Sequence, residues 1–288
     1  MRFNHYRNIK KFYNDTFNVL MRNETQNLIP LGNLIMGNMG KDKTEWRDPK
    51  NWFMATVSEK DDIFMTAIMT PPYNLTLYAT DNLINDNALR LLIRGIADLG
   101  IKLPGIMTEK TLAETFAEEY ARSNNIGYKV HMKTRIHELV QVNPDIRKTG
   151  TLRPVRESDM SFLPYWLESF NFDCFGAPLV INPDPEYYRY HINKQKMYIL
   201  EENGTPVSTA QKIREMQTVC GVSYVYTPPF FRGKGYATSC VAAVSRLILE
   251  TGFTRCALYT DLANPVSNGI YKKIGYNPVC DSLDIKFE

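Results

Sequence analysis

Ile9, Phe12, Tyr13, Phe17, Leu20 and Met21 recur at helical spacing between residues 7 and 22, which predicts an amphipathic surface helix with its apolar stripe turned to a core. The period then switches to alternation. Trp52–Val57, Ile63–Met69 and Leu75–Tyr78 read as strands, separated by the charged turn SEKDD and by PPYN. Asn85–Leu99 returns to a helical period, with Leu89, Leu92, Ile93 and Ile96 on one face and Gly100 as its stop. After LPGIM a further helix is expected to open at Thr108, supported by Glu109 and Glu114, and to run to about Arg122; Gly127–Val142 is a long alternating strand.

The polar stretch NPDIRKTG, Asn143–Gly150, has linker chemistry, and we expect an N-terminal α/β domain over residues 1–147 and a second domain over 148–288. The second half restarts with a strand at TLRPV and a helix across ESDMSFLPYWLESF that Pro164 interrupts. Strands follow at Lys196–Leu200, Val207–Ile213 and Thr218–Thr227. Strands alternating with helices imply an α/β (α+β) layer structure in both halves. IMTPPYNL and VYTPPFFRGKG each end an apolar strand in Thr-Pro-Pro, a short echo that would fit an internal duplication.

Composition narrows the function classes. The 288 residues, 44% hydrophobic, are enough for two modest domains, and 34 basic against 31 acidic residues leave a net charge of +3 with no basic stripe, which argues against a nucleic-acid partner. No stretch approaches the about 20 apolar residues of a membrane span. The five cysteines include no C-x-x-C pair, so reduced packed thiols, a cytoplasmic location and no metal site are expected.

The densest chemistry lies at PPFFRGKGYATSC, residues 228–240, where a strand enters a glycine-rich turn and then a helix carrying Ala237, Cys240, Val241, Val244, Leu247 and Ile248 on one stripe. Such a turn aims free amides and the positive end of a helix at one point, and that point binds anions. Gly233 and Gly235 permit positive φ and close approach, while Arg232 and Lys234 bring charge to the rim. A P-loop is excluded because Gly235 and Tyr236 follow the lysine where Ser or Thr is required. A dinucleotide fingerprint is excluded because GKGYAT lacks the third glycine.

Arg232–Ala237, RGKGYA, resembles the Q/R-x-x-G-x-G/A signature of the GNAT superfamily of N-acetyltransferases, and NPVSNGIYKKIGY downstream resembles that superfamily's N-x-x-A/S-x-x-x-Y-x-x-x-G-F/Y segment. The resemblance covers roughly residues 150–288. It looks like a bacterial subset in which a degenerate GNAT-like domain precedes the catalytic one. It implies two tandem GNAT-like domains, each a mixed, mostly antiparallel twisted sheet flanked by helices. It further implies an acetyl-CoA-dependent transfer to a primary amine of a small-molecule or amino-group acceptor, with no metal, no nucleic acid and no membrane; a homodimer is compatible with it.

Carried over, Val225, Tyr226 and Thr227 offer backbone groups to the pantetheine arm. The amides of Arg232, Gly233, Lys234, Gly235, Tyr236, Ala237 and Thr238 surround the pyrophosphate, and Asn264 and Ser267 contact the cofactor. Tyr271 protonates the leaving thiolate. Asn264 followed by Pro265 also reads as a helix cap, and the two roles can coexist. One departure is plain: CGVSYVYT carries no glutamate to act as base, which leaves Glu215, Tyr224 or water. A non-catalytic acyl-CoA sensor is the alternative.

Overall fold

In the computed structural model the described residues are 1–40, 48–176, 180–182 and 184–288, without the side chain of His191. They divide into two compact units that are not sequential halves. The first comprises Met1–His137, Tyr259–Asn264 and Pro278–Glu288; the second comprises Glu138–Leu258 and Pro265–Asn277.

In the first unit β1 (Arg2–His5), β2 (Phe53–Glu59), β3 (Asp62–Met69) and β4 (Leu75–Ala79) pair antiparallel in order. β4 then pairs parallel with β5 (Gly105–Glu109) through the register Leu75↔Ile106 and Thr76↔Met107. The crossover between them is α3 (Asp86–Asp98). The last strand of the chain, β12 (Asn277–Phe287), runs antiparallel to β5 from Ser282↔Glu109 to Lys286↔Gly105. Alternation sorts the side chains: Ala55, Val57, Met65, Leu77, Ile106 and Ile285 form a core with Leu89, Leu92 and Ile96 of α3 and with Leu112 and Phe116 of α4 (Lys110–Asn124). The other helices of this unit are α1 (Ile9–Met21) and α2 (Leu28–Met39), the latter close enough to Trp52 that a Cβ on Gly37 would stand 2.5 Å from the indole.

The second unit repeats the connectivity. β7 (Thr151–Pro154), β8 (Met197–Glu202), β9 (Thr205–Ile213) and β10 (Val219–Tyr226) pair antiparallel, and β10 runs parallel to β11 (Arg255–Asp261) after the crossover helix α7 (Tyr236–Glu250). Tyr198 and Leu200 face a core shared with Val241, Val244 and Ile248 of α7 and with Tyr271 and Ile274 of α8 (Pro265–Ile274). Met197 and Ile199 point the other way, toward Leu163 and Leu167 of α5 (Leu163–Phe175) and Tyr188 of α6 (Pro185–Asn193). In each unit the strands form a mixed, mostly antiparallel arrangement with helices packed on it, as expected.

Several expectations change. Thr108 and Glu109 belong to β5, and α4 begins at Lys110 because the Glu109 side chain accepts from the Leu112 amide and caps the helix. Pro164 sits in the first turn of α5, where a missing N–H costs nothing, so it starts that helix and does not interrupt it. Asn143–Gly150 lies within the second unit: Ile146 is buried in its core and the Asn143 amide donates to the Ile274 carbonyl at 2.8 Å. The Thr-Pro-Pro echo is not a structural equivalence. Thr70–Pro72 turns between antiparallel β3 and β4, whereas Thr227–Pro229 leads from β10 into α7.

Candidate functional site

The site is assembled by one irregular strand and the turn after it. β10 pairs with β11 only at Val219–Gly221, opposite Arg255–Ala257, and then continues to Tyr226 without a β11 partner. On its other side its register with β9 shifts between Ser223 and Tyr226, where Tyr224 adopts φ 48°. A bulge of this kind bends a strand and increases its twist, which frees backbone on the unpaired edge. Aromatic packing supports the bend. The Phe170 ring of α5 lies 4.7 Å from that of Tyr224, and Trp166 lies 6.1 Å from Tyr226. Ser208 of β9 donates to the Tyr226 carbonyl at 3.1 Å and shares a hydrogen bond with Thr227 Oγ1 at 2.8 Å, tying down the strand end.

Pro228 then ends the ladder, since it has no N–H to give. One tight turn at Pro229–Phe231 uses the Phe231 and Arg232 amides, which donate to the carbonyls of Pro228 and Pro229. From there the donors change character. Among the described residues no carbonyl or side chain accepts from the amides of Gly233, Lys234, Gly235, Tyr236, Ala237 or Thr238; the first amide engaged again is Ser239, on the Gly235 carbonyl at 3.1 Å. Gly233 (φ 76°) and Gly235 (φ 84°) hold left-handed conformations, and a Cβ on either would meet nothing within 4 Å. The glycines are therefore required by conformation and not by crowding. α7 opens at Gly235 with no side-chain cap and no acid in its first turn, so its positive end is uncompensated.

The two cations of the turn differ. Arg232 is a clamp: its Nε donates to the Thr227 carbonyl at 2.9 Å and its guanidinium pairs with Asp173 of α5 at 2.6 Å. Lys234 leaves its Nζ 4.6 Å from the ring centre of Phe230, which is 78% exposed. Neither the Asp173 tether nor the Ser208 bonds have a sequence signal, because both join residues far apart in the chain. The left-handed Tyr224 is equally invisible, since it is not a glycine.

Tyr271 packs in the same core as Val225, Tyr236 and Cys240, with its ring 5.8 Å from that of Tyr276. It is 8% exposed, and among the described residues its hydroxyl has no hydrogen-bond partner. Burial, and secondarily the thiols of Cys174 and Cys240, push its phenol well above the usual value, so it stays protonated throughout the neutral range. Ser267 lies two residues into α8, half-buried, while exposed Asn264 ends the Tyr259–Asn264 segment of the first unit, its amide on the Asp261 carbonyl at 3.1 Å. Of the candidate bases, Glu215 is held by Lys196 at 3.1 Å and Lys212 at 3.6 Å. Burial pushes the thiols of Cys220, Cys240 and Cys256 up to about 12, so these are inert packing groups. Among the described residues there is no metal-holding group of His, Cys, Asp and Glu, and no helix is long and apolar enough to cross a membrane.

Residues 163–276 match the model of the acetyltransferase (GNAT) family. No curated protein matches the sequence. Among solved structures the chain is similar to a GNAT-family acetyltransferase from Colwellia psychrerythraea, at 11% identity and TM-score 0.56, over 100% of this chain and 99% of that one. It is similar to a Drosophila protein at 11% identity and TM-score 0.66, over 99% and 98% of the two chains. A GCN5-related N-acetyltransferase from Sphaerobacter thermophilus aligns over 91% of this chain and 93% of its own, at 14% identity and TM-score 0.56. At these identities the likeness speaks for the fold alone.

Proposed function

We propose that this chain, which carries an acetyltransferase (GNAT) domain over residues 163–276, transfers an acetyl group from acetyl-CoA to a primary amine of a small-molecule or amino-group acceptor by direct attack. Acyl transfer follows from the family; the donor, the acceptor class and the residue roles are our reading. The observation that carries it is the row of unengaged amides from Gly233 to Thr238, set where β10 has lost its parallel neighbour. A diphosphate suits that row because it takes several N–H donors and a positive helix end; the unengaged amides, the uncapped start of α7 and the open space at the glycines support this reading.

The Gly233–Thr238 amides hold the diphosphate and the free edge of β10 at Val225–Thr227 receives the pantetheine arm. N–H groups of that edge polarise the thioester carbonyl as charge builds on its oxygen. The amine nitrogen bonds to the carbonyl carbon, the carbon–sulfur bond breaks, and Tyr271 gives its proton to the departing sulfur. The phenol is protonated at neutral pH and so carries the proton that the sulfur takes. Asn264 and Ser267 contact the cofactor, and the amine's proton leaves through Tyr224 or water. Holding donor and acceptor together supplies much of the rate.

The experiment is thiol release from acetyl-CoA in the presence of a panel of primary amines, with product mass as a second readout. We expect amine-dependent release with an acetylated product. One observation favours a second reading, an acyl-CoA sensor: β10 carries no acid, and Glu215, just before it in the sequence, is paired with two lysines. Tight CoA binding with no product from any amine would select the sensor.

A further inference from the structure

The first unit contains a second concave site, independent of the acetyl-transfer reading. Along the outer strand β1, between the β2–β3 turn and the start of α1, lies a cleft of about 700 Å³. That size falls within the about 300–1,000 Å³ usual for small-molecule pockets. We propose that this cleft binds a small, multiply charged oxyanion, a phosphate ester or a polycarboxylate, held by Arg2, Arg7 and Lys60 over a hydroxyl and amide floor of Asn4, Thr56 and Ser58.

Three observations converge on that chemistry. Four cationic side chains line the cleft against two carboxylates, Asp15 and Asp61. Asp15 is already engaged, accepting from the Tyr6 hydroxyl at 2.9 Å and pairing with Lys11 at 3.0 Å, so it does not neutralise the others. Among the described residues the side chains of Arg2, Arg7 and Lys60 have no hydrogen-bond or ion-pair partner. The floor is polar where sheet faces are ordinarily apolar: Thr56 and Ser58 are buried, and Asn4 Nδ2 bridges their hydroxyls at 3.1 and 3.0 Å. Thr56 Oγ1 also shares a 3.3 Å hydrogen bond with the Tyr6 hydroxyl, which itself donates to Asp15, so within this network the proton of Ser58 is the hydroxyl donor left for a ligand. The charge environment agrees. α1 has no acid in its first turn, and its Asn8 and Lys11 line the cleft. His5 is held below the usual imidazole range, by burial first and then by the charge of Arg7.

The test is calorimetric titration of the full chain with tripolyphosphate and, separately, citrate at matched ionic strength. We expect one of the two to bind with near-unit stoichiometry, its identity naming the source of the oxyanion. Arg7→Ala/Lys60→Ala, both exposed, should weaken that binding about ten-fold or more without changing the melting temperature of the free protein. A Gly233→Asp/Gly235→Asp variant, aimed at the turn of the second unit, should leave it intact, which separates this cleft from CoA binding. Absence of binding by either anion below millimolar concentration, or an affinity untouched by Arg7→Ala/Lys60→Ala, would overturn the assignment.

Discussion

The connection from β4 to α3 and the connection from β10 to α7 occupy the same place in two units of the same connectivity, yet they carry opposite chemistry. Each follows a strand that pairs with its parallel neighbour for only two or three residues. In the first unit the turn is TDNLIND. The Asp81 amide donates to the Tyr78 hydroxyl at 3.2 Å, and Leu83 donates to the Thr80 carbonyl at 3.1 Å. The Asn85 side chain caps α3 by accepting from Ala88 at 3.1 Å, and Asp86 stands in the helix's first turn. Thr108 Oγ1 donates to the Leu77 carbonyl, closing β5 onto β4 just where their pairing ends. Three amides, those of Asp81, Leu83 and Ala88, are consumed, and two acids, Asp81 and Asp86, stand at the turn and the helix start. In the second unit glycines replace acids, the amides stay unengaged, and nothing caps α7. Topology supplies a strand end beside a helix start; the turn residues decide whether that place binds anything.

The sharpest way to break this contrast is to give the second turn the acids of the first. Asp81 adopts φ 56°, so aspartate accepts the left-handed conformation that Gly233 and Gly235 require. Gly233→Asp/Gly235→Asp should therefore fold, with a melting temperature within a few degrees of the parent, and lose CoA affinity by about 1,000-fold in calorimetry, since charge-assisted amide bonds are lost and repulsion is added. Retained affinity would sever the turn from function. Tyr271→Phe should lower kcat by about 100-fold with little change in CoA affinity, because the lost group acts only as the thiolate departs. Unchanged turnover would remove Tyr271 from the chemistry.

A third expectation separates the units by pH. The thiols of Cys220, Cys240 and Cys256 all belong to the second unit, and burial raises each from 9.0 to about 12. Folded protein thus holds protons that the unfolded chain releases. The stability they represent is complete below pH 9 and falls as pH rises toward 12, by about 1.4 kcal/mol per pH unit for each thiol. Hydrogen exchange across this range should show the second unit, with three such thiols, opening before the first, whose single cysteine, Cys280, is likewise raised to about 12. The smallest effect is expected from Asp173→Ala. It frees Arg232 from a half-exposed pair, so CoA affinity should fall about two- to five-fold and stability by less than about 1 kcal/mol.

Much of this was legible in the residues, and the gaps have physical causes. The strands β2–β4 and β8–β10 announce themselves as apolar or alternating runs bounded by turn residues, and the helices α3 and α7 by a period, because one face of each helix meets a core. β5 does not: in GIMTE three residues are buried, two are half-buried, and no polar alternation marks the run. α2, LIPLGNLIMGNM, is apolar nearly all round and carries Pro30, Gly32 and Gly37, which read as breakers although Gly37 serves the approach of Trp52. The edge strand β1 is four residues long. The turn itself was readable because glycine, arginine and lysine in succession have no ordinary packing purpose. Its supports, Ser208, Asp173 and the Tyr224 bulge, depend on contacts that only folding creates.

The most direct measurement is an amide NMR titration of glycine-labelled protein with CoA. If the diphosphate sits on the turn, the Gly233 and Gly235 resonances move downfield together and saturate with the calorimetric affinity, while Gly95 and Gly105 of the first unit stay where they are. Binding of CoA that leaves Gly233 and Gly235 unshifted would contradict the account at its root.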